Sequence, residues 1–442
     1  MTNHRLRWAV CAAGLALAST ARADTVQASS TTMLLGRQDF RLPAAGDAAS
    51  TITAVPLYEI LDLAASEMHT RYADFEVALS TWGSIDLGDK RFWQNGAQID
   101  KRYTGDVNVG FIRADFLNHN VSLRLGRQLV ADGVARMVQL DGVSAEALLP
   151  GNFGLSGYAG SPVAPRFTTR GGQEVVGNIA ATFTAGGRAF WRYRGLVDVG
   201  ASIAMATDHG DPARQDVGVD FRLTPHRLVV FSGSGFWSLY ESRLGEAAVA
   251  AQVFPVKHLD VTLDYRHVEP DLFLPRNSIL AVFAADKRND VGGAVHFGGV
   301  KNLGIDADYH LLIEDGGHGH WGRLKGTYHP VGPENTVGAE FGLLRNANDD
   351  VDNGYKQVRL FGARKFTSAI TTTLDLIGYF YDHDVNATSR SLSATGTLAY
   401  QLWRGWRAMV AGTVGSTPYL EHHFDIMAKL VYDQTYLVRE VR

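Results

Sequence analysis

Charged side chains that recur at every second position carry most of the candidate chemistry in this chain. In the segment 216–223, Asp220 and Arg222 alternate with Val219 and Phe221. Rows of fixed charge on the wall of a pore orient polar solutes and reject apolar ones. The alternative is that neighbouring charges pair with each other and merely hydrate the wall. The pattern therefore leaves two alternatives for the polar face: its charges act on solutes that pass through a pore, or they pair with each other and only keep the wall hydrated.

Metal binding and enzyme chemistry are the alternative roles for the remaining polar residues. The pairs His318/His320 and His422/His423 have ligand side chains without the spacing of an established metal site. An acidic loop at 349–353 leaves weak calcium binding, or ions that bridge lipopolysaccharide, as an open alternative. The sequence has no G-x-S-x-G motif, nucleotide loop or dinucleotide fingerprint. It therefore predicts no enzyme, no cofactor and no metal site.

The elements that must position these charges are β-strands, because successive side chains of a strand point to opposite faces. Alternation runs from about residue 72 onward and is clear at 258–268, 305–311 and 337–343. Each run has about 9–11 residues, which suits a tilted strand that crosses a bilayer. We expect an all-β fold: a single transmembrane antiparallel β-barrel of about 18 strands (roughly 16–20) with a water-accessible lumen.

Composition favours this barrel over a soluble β-sandwich or a solenoid. The chain has 47 glycines and 45 aromatic residues, and its 42 basic residues include only nine lysines. Lysine is common on the wet face of a sandwich, whereas glycine and aromatic girdles are typical of membrane barrels. Aromatic residues also gather near expected strand ends, as at Trp191 and Tyr193 or Trp403 and Trp406.

The first residues predict Sec-type export. Arg5 and Arg7 precede a short apolar run, and Ala21 and Ala23 form a cleavage signal, so residues 1–23 are expected to be a signal peptide. The single cysteine, Cys11, lies within it, which excludes disulfides afterwards. Loss of three arginines leaves 39 basic and 46 acidic residues, a net charge of −7, which argues against a nucleic-acid partner.

Two further regions complete the expected organisation. Residues 24–56 are polar and rich in small side chains, so we interpret them as an N-terminal tail, a periplasmic segment or a plug, with the barrel at 57–442. The glycine- and proline-rich stretch Pro150–Gly172 predicts a loop that either lies on the surface or folds inward as a constriction. In the second case, Arg166 and Arg170 would lie in the pore.

The candidate pore-lining residues are the charged members of the alternating runs. On the expected strands they are Arg124, Asp220, Arg222, Asp260, Asp264, Arg266, Asp306, Asp308, Arg323, Lys325, Glu340 and Lys429.

One segment resembles a known family. Residues Leu125–Val143 read LGRQLVADGVARMVQLDGV, similar to the GRQ…G…R…DG-V signature of alginate-export-type outer-membrane barrels, an 18-strand family. The matching positions are Gly126, Arg127, Gln128, Gly133, Arg136, Asp141 and Gly142. The resemblance covers about 20 residues and implies that Arg127 and Arg136, with Asp141, line a channel for an anionic polysaccharide.

The sequence therefore predicts a channel in the outer membrane of a Gram-negative cell. The first interpretation is the export pore of a polysaccharide secretion system, with periplasmic export components as partners. The alternative is a general or substrate-selective diffusion porin for small polar solutes. In both cases lipid and lipopolysaccharide surround the barrel.

Overall fold

A computed structural model describes most of the chain. The described residues are 25–41, 50–88, 92–94, 97–99, 103–135, 137–163, 181–208, 210–273, 287–332, 334–346 and 354–437. The predicted signal peptide lies outside them. Nearly all of the described residues are in strands, and the helical segments among them are three short 3-10 turns. Within these ranges, no helix is both long and apolar enough to cross a membrane.

The strands follow one another along the chain with few interruptions. They are β1 (Thr25–Arg41), β2 (Ser50–Ala54), β3 (Pro56–His69), β4 (Asp74–Asp86), β5 (Phe92–Gln94), β6 (Ala97–Ile99), β7 (Tyr103–Phe116), β8 (Val121–Ala131), β9 (Met137–Leu149), β10 (Phe153–Pro162), β11 (Ala181–Tyr193), β12 (Val197–Asp208), β13 (Asp211–His226), β14 (Val229–Ser238), β15 (Arg243–Val256), β16 (Leu259–Val268), β17 (Arg288–Val300), β18 (Leu303–Glu314), β19 (Gly317–Tyr328), β20 (Thr336–Arg345), β21 (Tyr355–Lys365), β22 (Ile370–Val385), β23 (Thr388–Trp403), β24 (Trp406–Thr417) and β25 (Leu420–Leu437).

Twenty-two of these strands form one closed antiparallel ring. Each strand pairs with its neighbour in the chain, and β1 closes the ring by pairing with both β3 and β25. The short strand β2 pairs with the far end of β1, and β5 and β6 form a separate hairpin. The prediction of an antiparallel β-barrel is confirmed, and the count of about 18 strands is wrong. The additional strands include β1, β3 and β10, which the reading of alternation did not count.

The interpretation of 24–56 as a tail or plug is wrong for Thr25–Arg41. This segment is a wall strand, in which Ser30 lies opposite Tyr432 on one side and Leu61 on the other. The sequence of this strand is rich in small hydroxyl side chains. Alternation between apolar and polar residues is hard to detect where both faces are small and polar. A ring of antiparallel strands also needs this last pairing, since without it two edges would remain open.

The prediction of a long loop at Pro150–Gly172 is also wrong for its first half. Pro150–Asn152 form a tight 3-10 turn and Phe153–Pro162 form β10, while 164–172, with Arg166 and Arg170, lie outside the described residues. The glycines there serve packing between strands. A Cβ on Gly154 would lie 2.1 Å from Cζ of Phe190 on the next strand. A strand can thus be glycine-rich where a neighbouring ring must cover its backbone.

The two ends of the barrel differ in their connections. At one end, the turns between described strands have two to seven residues, and Thr25 pairs with Leu437 there. At the other end lie the longest connections, including residues 163–180 and 269–287. Several tight turns have the expected backbone, such as Asn386 and Ala387, with φ of 48° and 59°. We call the end with the two- to seven-residue turns the short-turn end, and the end with the longest connections the long-loop end.

The apolar and polar sets segregate onto opposite faces of the wall, as the alternation predicts. Val219 and Leu263 are each 63% exposed on the outer face, while Asp220 and Asp264 of the same strands point inward. A ring of 22 strands spaced about 4.8 Å apart and tilted about 40° has a backbone diameter on the order of 40 Å. Such a ring is too wide for side chains from its wall alone to fill it.

Candidate functional site

The connection between β8 and β9 folds into the barrel instead of extending from its rim. Its 3-10 turn, Gly133–Ala135, lies against the inner face of β11, β12 and β13. Val134 is buried in an apolar cluster with Leu140, Tyr158 and Phe236. The inner wall thus contains an apolar socket that holds the tip of this loop. We call residues 131–135 the inward loop.

Polar contacts and backbone geometry also fix the inward loop. The Val134 backbone N–H donates a hydrogen bond to Ser202 Oγ at 2.9 Å, in a buried position. Ser156 Oγ donates to the Asp132 carboxylate at the base of the turn. Gly133 has a φ of +57°, and a Cβ there would lie 2.5 Å from Ser202 Oγ, so only glycine fits.

A pocket of about 440 Å³ lies between the inward loop and the lumen wall. Four arginines from three strands line it: Arg113, Arg124, Arg188 and Arg192. Acidic and hydroxyl side chains share the lining, among them Asp132, Glu146, Asp220, Ser122, Ser144 and Ser156. The pocket lies in the lumen and can be reached by a solute that passes the loop. Its chemistry suits hydrogen-bonding solutes, with positive charge as the most abundant feature.

Three of these arginines are held by carboxylates. Arg188 binds Asp220 through Nε at 3.0 Å and Asp198 through Nη2 at 3.1 Å. It reaches past β12 at Gly200, where a Cβ would lie 2.4 Å from its Nε. Arg192 also pairs with Asp198, at 3.0 Å. In the same way, Arg113 donates at 3.0 Å to Asp115 and Ser122.

Arg124 differs from them because, among the described residues, no carboxylate lies within ion-pair distance of its guanidinium. The group stacks over the Phe111 ring, with Cζ 4.5 Å from the ring centroid. Its Nε is buried and has no hydrogen-bond partner. A guanidinium has five N–H donors, and a stacked ring satisfies none of them. Arg124 therefore has donors and a positive charge available to a solute in the pocket.

The predicted pore-lining role does not suit Arg127. Its side chain is 8% exposed and donates to Asp141 through Nε and Nη2, at 2.7 and 2.8 Å, and to Asp106 and the Val107 carbonyl through Nη1. Four N–H donations from one guanidinium thus join three strands, and the Asp141 carboxylate accepts two of them. Arg136 lies outside the described residues.

A second group of predicted residues lies together on β16 to β19. Asp308 pairs with Arg323 at 2.7 Å, and Arg266 pairs with Glu246 on β15 at 2.7 Å. Histidines accompany two further acids: His296 contacts Asp306 at 2.6 Å, and His310 lies 3.8 Å from Asp264. Lys325 lies 5.5 Å from the Phe361 ring, and Arg222 is exposed on β13. With the exception of Lys325, these charges on β16 to β19 thus form pairs, in a strip apart from the arginine pocket.

The sequence reading missed Arg188, Arg192 and the socket for Val134. Alternation could have found the arginines, because Arg188, Phe190 and Arg192 alternate with Ala189 and Trp191 on β11. The socket has no local signal, since its buried residues come from four strands, β9, β10, β12 and β14. Of the candidate metal residues, His320 contacts the Tyr309 hydroxyl at 2.7 Å. No group of three or more ligand side chains within the described ranges is arranged to hold a metal ion.

Comparison with known proteins gives likeness in structure alone. No family model matches the chain, and no curated protein matches it either. Solved structures that it resembles include the P pilus usher (PapC) translocation pore, with 8% identity, 93% of this chain and 100% of that chain covered and a TM-score of 0.48. Others are the outer membrane protein OpdK from Pseudomonas aeruginosa (10% identity, 93% and 98% covered, TM-score 0.42) and a BenF-like porin from Pseudomonas fluorescens (11%, 93% and 99%, 0.45). Since each TM-score is below 0.5, these likenesses assign neither a family nor a substrate to the chain.

Proposed function

We propose that the protein is an outer-membrane channel through which polar solutes diffuse. The outer face of the barrel is predominantly apolar, with Leu155, Ile203 and Leu324 all more than half exposed. Soluble monomers rarely expose apolar patches beyond a few hundred Å². A closed sheet satisfies its backbone groups internally, which is what a lipid environment demands. By the usual arrangement of such barrels, the short-turn end faces the periplasm and the long-loop end the cell exterior.

The observation that carries the channel function is the inward loop within a polar lumen. A wide ring with a charged inner wall provides an aqueous path, and the loop narrows that path at one height. The arginine pocket lies beside the loop, so a solute that passes the loop meets Arg124. This arrangement supports a selective diffusion porin that favours anionic solutes.

Conductance in planar bilayers tests this proposal. The purified barrel should give stepwise, ohmic currents with an anion-over-cation permeability ratio above one in a salt gradient. A polar dianion such as phosphate should reduce the chloride current, because it competes for the pocket. Protein that inserts and gives no current, or a cation-selective current, would contradict the proposed porin.

Export of a polysaccharide is the second candidate. The observation that favours it is the unpaired Arg124 beside a wide lumen, which suits a chain that carries repeated carboxylates. The two candidates separate genetically. Deletion of the gene should remove a surface polysaccharide while small-solute uptake is unchanged if the barrel is an exporter, and should slow uptake of small anions while the polysaccharide remains if it is a porin.

A further inference from the structure

A carboxylate lies on the outer face of the barrel, where the surrounding side chains are apolar. Glu59 of β3 shares its face with Leu57, Leu61 and Leu63, and the last two are 44% and 51% exposed. Tyr58, on the opposite face of the same strand, is buried inside the barrel. Glu59 is the fourth of the 14 residues of β3 and lies between Leu57 and Leu61 on the apolar outer face.

Two hydroxyl groups of the neighbouring strand hold this carboxylate. Ser30 Oγ donates to Glu59 Oε1 and Thr32 Oγ1 donates to Oε2, both at 2.6 Å. No cation among the described residues pairs with Glu59. A carboxylate can accept about four hydrogen bonds, so about half of its capacity faces outward without a donor. The chain thus builds a polar patch of Ser30, Thr32 and Glu59 on its lipid-facing wall.

Such a patch is costly in contact with hydrocarbon. An acidic side chain in the middle of a bilayer is strongly unfavourable, and ionisable residues there usually face protein or water. Within lipid, polar side chains and small residues are the features that hold protein surfaces together, since apolar burial gives no advantage over lipid. The patch is accordingly a contact surface for another protein wall.

The wall beside the patch has the shape that a close contact needs. In one cross-strand row, Gly396, Gly412, Ile426 and Gly36 lie next to each other on β23, β24, β25 and β1. Nothing lies within 4 Å of a Cβ built on Gly396, and only a backbone oxygen at 3.9 Å lies near one built on Gly412. The Ile426 side chain covers Gly36, where a Cβ would lie 2.9 Å from Ile426 Cγ2, and it borders an open hollow at Gly412 and Gly396.

From these observations we infer that the β23–β4 face binds a second copy of this chain about a two-fold axis. The face carries both halves of each contact: Ile426 can enter the glycine hollow of its partner, and the two copies can exchange hydroxyl donors. Each Ser30 and Thr32 hydroxyl has one proton, which it gives either to its own Glu59 or to that of the partner. Contacts about a two-fold axis require this self-complementarity, because the same surface serves both subunits. The inference rests on the proposed membrane setting and is independent of what the channel conducts.

Site-specific crosslinking in native membranes tests the inference. The wall strands have no cysteine, so Leu34→Cys on β1 introduces a single thiol two residues from Thr32, and Val249→Cys introduces one on β15, eleven strands around the ring. A short bis-maleimide should give a crosslinked dimer with Leu34→Cys and none with Val249→Cys. Equal crosslinking at both sites, or none at Leu34→Cys in membrane-inserted protein, would overturn the two-fold contact.

Substitution of the carboxylate separates a specific contact from crowding. In the Leu34→Cys background, Glu59→Leu should weaken dimerisation about tenfold, whereas Glu59→Gln, whose amide both donates and accepts, should retain it. Undiminished crosslinking with Glu59→Leu would refute the role of this patch. Protein found outside the membrane fraction would refute the proposed channel as well, so the two failures are distinguishable.

Discussion

Val134 of the inward loop occupies the space that a side chain on Gly218 of β13 would fill. A Cβ built on Gly218 would lie 1.8 Å from Cγ2 of Val134. The two residues are 84 positions apart in the sequence, and they meet because the inward loop folds back against the inner face of the curved wall. The fit identifies Val134 as the anchor of the loop and leads to the first prediction.

Val134→Asp should release the inward loop and raise single-channel conductance. A carboxylate in the apolar socket of Leu140, Tyr158 and Phe236 costs several kcal/mol without a partner, enough to shift the loop more than tenfold toward a displaced position. Ala131→Asp is the matched control, because it adds the same charge at an exposed position of the same loop. Equal conductance in the two variants would contradict the anchoring role of Val134.

Arg124→Gln should lower the permeability ratio of chloride to potassium by about threefold, which is the effect of roughly 0.6 kcal/mol from one charge in a wet pore. The substitution removes the unpaired positive charge from the arginine pocket and keeps a polar side chain at position 124. Reversal potentials in a salt gradient measure the change. Arg364→Gln, whose side chain lies over Phe366 near the short-turn end, should leave the ratio unchanged.

Asp220→Asn should change the same ratio in the opposite direction. The aspartate neutralises Arg188, and its loss leaves that guanidinium with Asp198 as its remaining carboxylate partner. The pocket gains one net positive charge, so anion permeability should rise. The effect should fade near 1 M salt, where the screening length is about 3 Å. A shift toward cations at low salt would show that the pocket does not control selectivity.

Arg127→Ala should destabilise the barrel by about 1–3 kcal/mol, because it removes the guanidinium that bridges Asp106 and Asp141, while water can solvate the 42% exposed Asp141 carboxylate. Arg127→Lys should recover only part of this loss, since an ammonium group cannot make the bidentate contact. Unfolding in urea in detergent micelles, followed by tryptophan fluorescence, measures both. Arg127→Ala with wild-type stability and reduced conductance would instead restore the pore-lining role implied by the family resemblance.

The family resemblance over Leu125–Val143 implied that this segment contacts the solute through its arginines. In the structure, the segment is important because it forms the inward loop. The segment contains the inward loop, and Gly133 enables its turn through a positive φ. The arginine of the signature that can be placed, Arg127, joins strands and does not meet solute. Residue type and spacing are thus shared by a structural ion pair and a solute contact, and only burial and partners distinguish them.

The sequence by itself determined the architecture of the wall. Strict alternation at Val217, Val219 and Phe221 against Asp220 and Arg222 assigns one face to apolar surroundings and the other to water, because the side-chain period of a strand is two. This rule is local, so it can be read wherever the two faces differ in polarity. It failed at β1 and β10, where hydroxyl and glycine side chains make the faces alike.

The tertiary structure decided which charges are free and what narrows the lumen. Arg124 and Arg188 are both inward arginines on alternating strands, yet Asp220 reaches only Arg188, across an intervening strand that glycine leaves open. The inward loop depends on a socket assembled from β9 to β14. Contacts between residues distant in the sequence arise from ring closure and curvature, and a local two-residue period contains no information about them.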